Sequence, residues 1–250
     1  MQKSSALVLA CLVGWPILPM LRADDRADAL AVIERAIDAH GGARRLERLH
    51  AYRREAHGKQ SAGEKEIDFS TVLTLDLPDR FHDDITAQNA GEKLRIVQIV
   101  NGDKAWRTIE GMATLAADES EELREEMYLM RIETLLPLRG DEFRLSLLPD
   151  ASVDGRLAHV IQVAQKGHHL IKLYFDARAG LLIKTAHNVR RGAVPILKEY
   201  RLSEYKNFDG VRLPTRLAEY RNDTRVSELT VTQYRFIERP DAALFERPEK

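Results

Sequence analysis

"EKEIDFSTVLTLDLPDRF", residues 64–81, decides the fold. Ile67, Phe69, Leu73, Leu75 and Leu77 fall at spacings of two, with Asp68, Ser70, Thr74 and Asp76 between them. That period puts the apolar residues on one side of a strand and the polar ones on the other. At about eleven residues the strand is long for a globular protein. Pro78-Asp79 turns the chain, and "RFHDDITAQN" brings it back. "EKLRIVQIV" follows, apolar on both faces from Ile96 to Val100, and "NGD" turns the chain into "KAWRTIE".

The same pattern runs through the C-terminal half. Asn101-Gly102, Asp154-Gly155 and Asp209-Gly210 carry hairpin chemistry, because Asn and Asp tolerate positive φ and Gly has no Cβ to clash there. Strands are predicted at 157–165, 169–175, 181–189, 194–206, 211–220 and 225–236. Connections this short pair neighbours antiparallel, and no helix-length segment interrupts the series. Within "LYFDARAGLL", residues 173–182, Asp176 beside Gly180 reads as a hairpin turn rather than a catalytic loop.

Two segments are helical by pattern. In "RADALAVIERAIDAHGG", Leu30, Ile33 and Ile37 share a face and Gly41-Gly42 ends the helix; "ARRLERL" adds a short turn. "DESEELREEMYLMRIETLLPL", 118–138, places Leu123, Met127 and Met130 at i, i+4 and i+7, with an acidic start and Pro137 as its stop. The acidic run Glu119 to Glu126 reads as a solvated face. The fold class is α+β: a curved antiparallel sheet with an N-terminal helix and one inserted helix.

The chain of 250 residues is 44% hydrophobic and 31% charged, with a formal net charge of −1, a balance that offers no footprint for nucleic acid. Lys3, the apolar run "ALVLACLVGWPILPM" and "LRA" before "DDR" describe a cleaved export signal over residues 1–23, with the mature domain at 24–250. Removing Lys3 and Arg22 leaves 36 of the 38 basic residues against 39 acidic ones, a net of −3. No other apolar run approaches the length of a membrane span, so the mature chain is expected to be soluble or in peripheral membrane contact. The one cysteine, Cys11, lies in the signal. "VLAC" faintly matches a lipidation box, but the run before it is very short. A chain cut after Ala23 has no thiol for a disulfide, a metal or nucleophilic attack.

"AIDAHGGARRLERL", "DGRLAHVIQV", "LYFDARAGLLIKTA", "EYKNFDGVRLPTRLAEYRND" and "LFERP" in this order resemble the LolA/LolB-like outer-membrane lipoprotein-sorting proteins, among them poorly characterised exported members. The resemblance runs from about residue 28 to the C-terminus. It implies an unclosed barrel with helices on its concave side and, in the characterised carriers, a hollow for acyl chains. Neither the functional arginine of the dedicated carriers nor the membrane-inserting loop of their receptor maps onto a position here.

The residues expected to line such a hollow are Ile67, Phe69, Leu73, Leu75, Phe81, Trp106, Met127 and Met130. Each buried CH₂ contributes about 0.8 kcal/mol, so a long acyl chain binds without polar contacts. The same residues equally suit an ordinary core. No GxSxG, phosphate loop, HxH or HExxH occurs, and His168-His169 on a strand would point to opposite faces. Hence no catalytic residue, metal or cofactor is assigned. "VRRG" at 189–192 reads as a strand end whose arginines could meet lipid phosphates. The leading expectation is an envelope protein that binds a hydrophobic or acylated ligand, such as a lipoprotein. The alternative is a protein-interaction module without a lipid site.

Overall fold

The computed structural model describes residues 23–63, 65–89, 91–113, 117–191 and 194–248. The expected export signal up to residue 22, with Cys11, lies outside them, as do the side chains of Arg190 and Arg191 in "VRRG". Among the described residues, no helix is long and apolar enough to cross a membrane.

Helix α1 (Ala23–Ala39) and the short α2 (Ala43–Leu46) lead into a meander of six strands: β1 (Ala51–Ala62), β2 (Lys65–Asp76), β3 (Arg80–Asn89), β4 (Glu92–Asn101), β5 (Lys104–Ile109) and β6 (Met112–Ala113). Helix α3 (Ala117–Glu133) follows. A second meander then runs through β7 (Arg144–Val153), β8 (Arg156–Ala164), β9 (Ile171–Asp176), β10 (Leu182–Arg191), β11 (Val194–Phe208), β12 (Val211–Arg221) and β13 (Thr224–Phe236). The two meanders join where β1 pairs with β13. The result is one sheet in the order β6-β5-β4-β3-β2-β1-β13-β12-β11-β10-β9-β8-β7, thirteen strands among the described residues. Every pairing is antiparallel, and the sheet stays open between β6 and β7.

Since β6 and β7 are opposite edges, the segment that joins them has to pass from one side of the sheet to the other, and α3 is that segment. In a flat sheet β5 and β11, seven strands apart in this order, would be roughly 34 Å from each other. Yet Arg107 of β5 is 2.6 Å from Glu119 of α3, and Lys198 of β11 is 3.4 Å from Glu122, less than one helical turn further along. The sheet therefore wraps round α3.

Local chemistry sets the hairpins. Asp154-Gly155 and Asp209-Gly210 both hold positive φ, the conformation that matches the twist of paired strands. Asp176 is a turn residue, as its sequence context predicts: its Oδ1 accepts from the backbone N–H groups of Arg178 and Ala179 at 3.0 and 2.7 Å. Helix α3 ends at Glu133, ahead of Pro137. Leu135 takes φ 69° and the chain continues as a 3-10 turn, Leu136–Arg139, so the break precedes the proline expected to cause it. At the junction of the meanders, β1 shifts register against β13 after Glu55, and a Cβ on Gly58 would overlap the Glu228 carbonyl oxygen.

The core lies between the helices and the inner face of the sheet. Ile33 and Ile37 of α1, Met127, Leu129 and Ile132 of α3, and Leu73, Leu75, Phe81 and Phe175 of the strands are buried in it together. Arg139 grips Glu34 of α1 with two hydrogen bonds, at 2.8 and 2.6 Å. The C-terminal 3-10 turn, Ala242–Phe245, is capped by Asp241 and buries Phe245, whose carbonyl accepts from Asn101 Nδ2 at 3.1 Å.

Gly58→Ala pushes a methyl group into backbone at the one seam that joins the meanders. It is expected to cost about 1–3 kcal/mol in urea unfolding. An unchanged midpoint would mean that this seam is loose.

Candidate functional site

Between α3 and the inner face lies a hollow of about 460 Å³, within the size range of small-molecule sites. Cross-strand register arranges its wall in rows. The deepest is apolar and belongs to the core, with Phe81 opposite Leu75 and Leu75 opposite Tyr52. Next comes a polar row. Arg107 stands opposite Gln98, Gln98 opposite Asp83, Asp83 opposite Leu73, and Leu73 opposite Arg54. Further out the wall is apolar again. Ile109, Ile96 and Ile85 form one row, and Ala87, Phe69, Gly58 and Leu229 form the next. Beyond them the lining turns polar, with Gln60 opposite Ser227 and Ser227 opposite Glu219, and the strand ends at 65–66 and 92–95 are exposed.

Facing this wall, α3 presents Glu119, Glu122, Glu126 and Glu133, at i, i+3, i+7 and i+14, all on one helix face. The face that reads as solvated in the sequence points into the hollow. Its partners come from strands far away in the chain. Lys198, only 5% exposed, is 2.9 Å from Glu126, and the Tyr200 hydroxyl donates to the same carboxylate at 2.9 Å. Arg221 is 2.7 Å from Glu219 and 3.7 Å from Glu122.

Burial and pairing pull these groups in opposite directions. Burial alone would raise Glu126, but Lys198 and the Tyr200 hydroxyl outweigh it and hold the carboxyl below its ordinary value. Burial likewise opposes the charge on Lys198, and the carboxylates of Glu126, Glu219 and Glu122 restore it and raise its pKa. Among the described residues Glu133 forms no ion pair, and the nearby Arg54 only partly offsets its burial. Burial, reinforced by the Glu126 charge, pushes it up to about 8. Asp83 is raised as well, chiefly by burial, although it accepts from the Thr71 hydroxyl.

Below the polar row lies a smaller chamber of about 60 Å³, enough for a water or two. Tyr52, Tyr205, Tyr234 and His40 help to line it. Arg54, Met130, Glu133 and Leu217 border both spaces and so form the floor of the larger one.

Of the eight residues expected to line a hollow, Phe69, Phe81 and Met130 do. Leu73, Leu75 and Met127 are fully buried in the core behind it. Ile67 is half-buried near the outer end of β2, beyond the lining. Trp106 is on the other face of β5, since its neighbour Arg107 faces inward, and it borders a separate cavity with Met112 and Pro248. The polar lining carries little local sequence signal, because its cations are alternate residues on strands, and Lys198 and Arg221 lie far from α3 in the chain.

The histidine pair departs from its sequence reading. His168 and His169 lie between β8 and β9 rather than on a strand, and both turn Nδ1 toward Glu125, at 2.9 and 3.1 Å. His168 also stacks on Tyr128, with ring centroids 3.7 Å apart. This cluster fastens the β8–β9 connection to α3. Among the described residues, no group of three or more His, Cys, Asp or Glu side chains could hold a metal ion.

Replacing Glu133 with Gln tests its environment. A carboxyl raised to about 8 holds its proton more tightly folded than unfolded, so its contribution to stability is full below about 4.5 and is lost as pH rises toward 8. E133Q should therefore gain stability relative to the parent across that window, by a few kcal/mol at most. Parallel denaturation curves at pH 5 and 8.5 measure this. An equal difference at both pH values would place Glu133 in water.

No family model matches the sequence, and no curated protein matches it. The fold, by contrast, matches solved structures. A LolA superfamily protein from Nitrosomonas europaea aligns over 88% of this chain and 97% of its own, with 14% identity and a TM-score of 0.57. A DUF1329 family protein from Desulfovibrio piger covers 87% and 97%, at 13% identity and 0.55. A putative outer membrane lipoprotein-sorting protein domain from Vibrio parahaemolyticus covers 88% and 97%, at 12% identity and 0.53. At these identities the likeness is one of architecture, and it is the architecture built above: the chain has the LolA-like fold, an unclosed antiparallel barrel with helices in its hollow.

Proposed function

We propose that the protein is an exported cell-envelope component that binds an acylated or otherwise hydrophobic ligand in the hollow, as a carrier or receptor of lipid or lipoprotein. One observation carries the reading: a space of about 460 Å³ whose outer rows, from Ile85, Ile96 and Ile109 to Phe69 and Leu229, present apolar side chains to an interior that α3 leaves unfilled. An ordinary core would close over those residues to crystal-like density. The expected signal at residues 1–23 supplies the route to the envelope. Export and the single mature domain at 24–250 belong to this proposal, as does the absence of enzymatic chemistry.

The hollow makes a quantitative demand. If chain methylenes lie on the apolar rows, affinity in an alkanol series should rise by about fourfold per added methylene. Ile109→Asp places a charge in the first of the outer apolar rows without touching the core. It should lower affinity for the longer members at least about tenfold while leaving thermal unfolding nearly unchanged. Isothermal titration of the series, with mass spectrometry of an organic extract of the purified protein, checks both. A flat response to chain length with no acyl species in the extract would sink the reading and favour a protein-interaction module.

A further inference from the structure

The rows of the wall also assign a direction to the ligand. A carrier built only for acyl chains would be apolar to its floor. Here the floor is polar, and the apolar rows of β2 to β5 lie between it and the polar residues Gln60, Ser227 and Glu219 at the outer end. An amphiphile fits that order with its polar group at the bottom and its chain running outward over Ile85, Ile96 and Ile109.

The cations identify the polar group. Arg107 is paired with Glu119, Lys198 with Glu126, and Arg221 with Glu219. Arg54 differs from them. Among the described residues it is the lining cation without an ion pair, and its Nε is buried with no hydrogen-bond partner. The Tyr234 hydroxyl, which donates to the Pro214 carbonyl, lies beside it in the smaller chamber. Asp83 and Glu133 face Arg54 without pairing, and burial keeps Glu133 largely protonated near neutral pH. A guanidinium always carries its charge and offers donors in a planar fork, a shape complementary to carboxylate and phosphate.

We infer that the hollow takes an anionic amphiphile head first, with its carboxylate or phosphate seated on Arg54 at the floor and its chain lying on the outer apolar rows. This rests on the proposed ligand-binding function and names the chemical class of the ligand. The charges nearer the mouth along α3 are already balanced by their own partners, so the unmatched donor of the site is the Arg54 fork. The head exchanges cavity water for a charge-assisted hydrogen bond, and the chain leaves water for the wall.

Four chain-matched probes test this against the purified protein: dodecanoate, dodecyl phosphate, dodecanol and dodecyltrimethylammonium, with inorganic phosphate as the chainless control. Both acids should bind at least about tenfold more tightly than the alcohol, the cation should bind more weakly than the alcohol, and phosphate alone should not compete. Arg54→Met should erase the advantage of the acids yet keep dodecanol binding. Arg54→Lys, which retains the charge, should restore most of it and guards against a folding defect in the first variant. If the alcohol binds as well as the acids, or if Arg54→Met leaves their preference intact, the inference is overturned and the ligand-binding reading stands. Competition by phosphate alone would replace the amphiphile with a free anion. If none of the chained probes binds, both fall.

Discussion

The structure depends on one helix being held from both walls of a bent sheet. Two meanders meet at a single seam, β1 against β13, which leaves their far ends as opposite edges. Only α3 links those edges, and it does so through the interior. Its inner face is charged. Glu119 reaches β5, Glu122 and Glu126 reach β11, and Glu122 also meets Arg221 of β12. Ion pairs of this kind stabilise weakly in total, because desolvation offsets much of the Coulomb gain, but they are costly to break one-sidedly. They therefore act as geometric ties that fix which helix face looks inward and how closely the walls approach.

The same ties explain why a hollow persists. Apolar side chains on the inner face of α3 would pack onto Ile85, Ile96 and Ile109 and close the space. Carboxylates need cations and water, so they hold the helix off the apolar rows. Where the cations suffice, the carboxylates are locked, as at Glu126. Where they do not, as at Glu133, the carboxyl keeps its proton. The floor is left with an arginine whose charge no neighbour takes up by pairing. The lining thus sets apolar rows on β2 to β5 above a polar base, an order that suits an amphiphile better than a bare hydrocarbon.

Much of this architecture is legible in the sequence. Period-two alternation marks β2, Asp-Gly and Asn-Gly steps mark three hairpins, and i, i+4, i+7 spacing marks the buried side of α3. Other parts are silent for physical reasons. Strand β1, "AYRREAHGKQSA", has no apolar alternation, since its inner positions are Tyr52, Arg54, Ala56 and Gly58, the last two small where the register shifts and the backbones crowd. The acidic face of α3 looks solvated because its partners Lys198 and Arg221 are more than seventy residues away, on strands where a charged residue at every second place reads as an outer face. Side-chain alternation gives which residues share a face. It does not give which face lies inside once a sheet has curled, and the division of Trp106 from Arg107 on β5 turns on that alone.

The central claim, that α3 turns its acidic face inward and is tied across the hollow, is tested most directly by a double-mutant cycle on Lys198 and Glu126. Lys198→Met, Glu126→Gln and the double variant would be unfolded in urea at neutral pH. A tie in a desolvated setting gives a coupling energy above about 1.5 kcal/mol. A value below about 0.5 kcal/mol, the level of an exposed surface pair, would put that face of the helix in solvent and contradict the account.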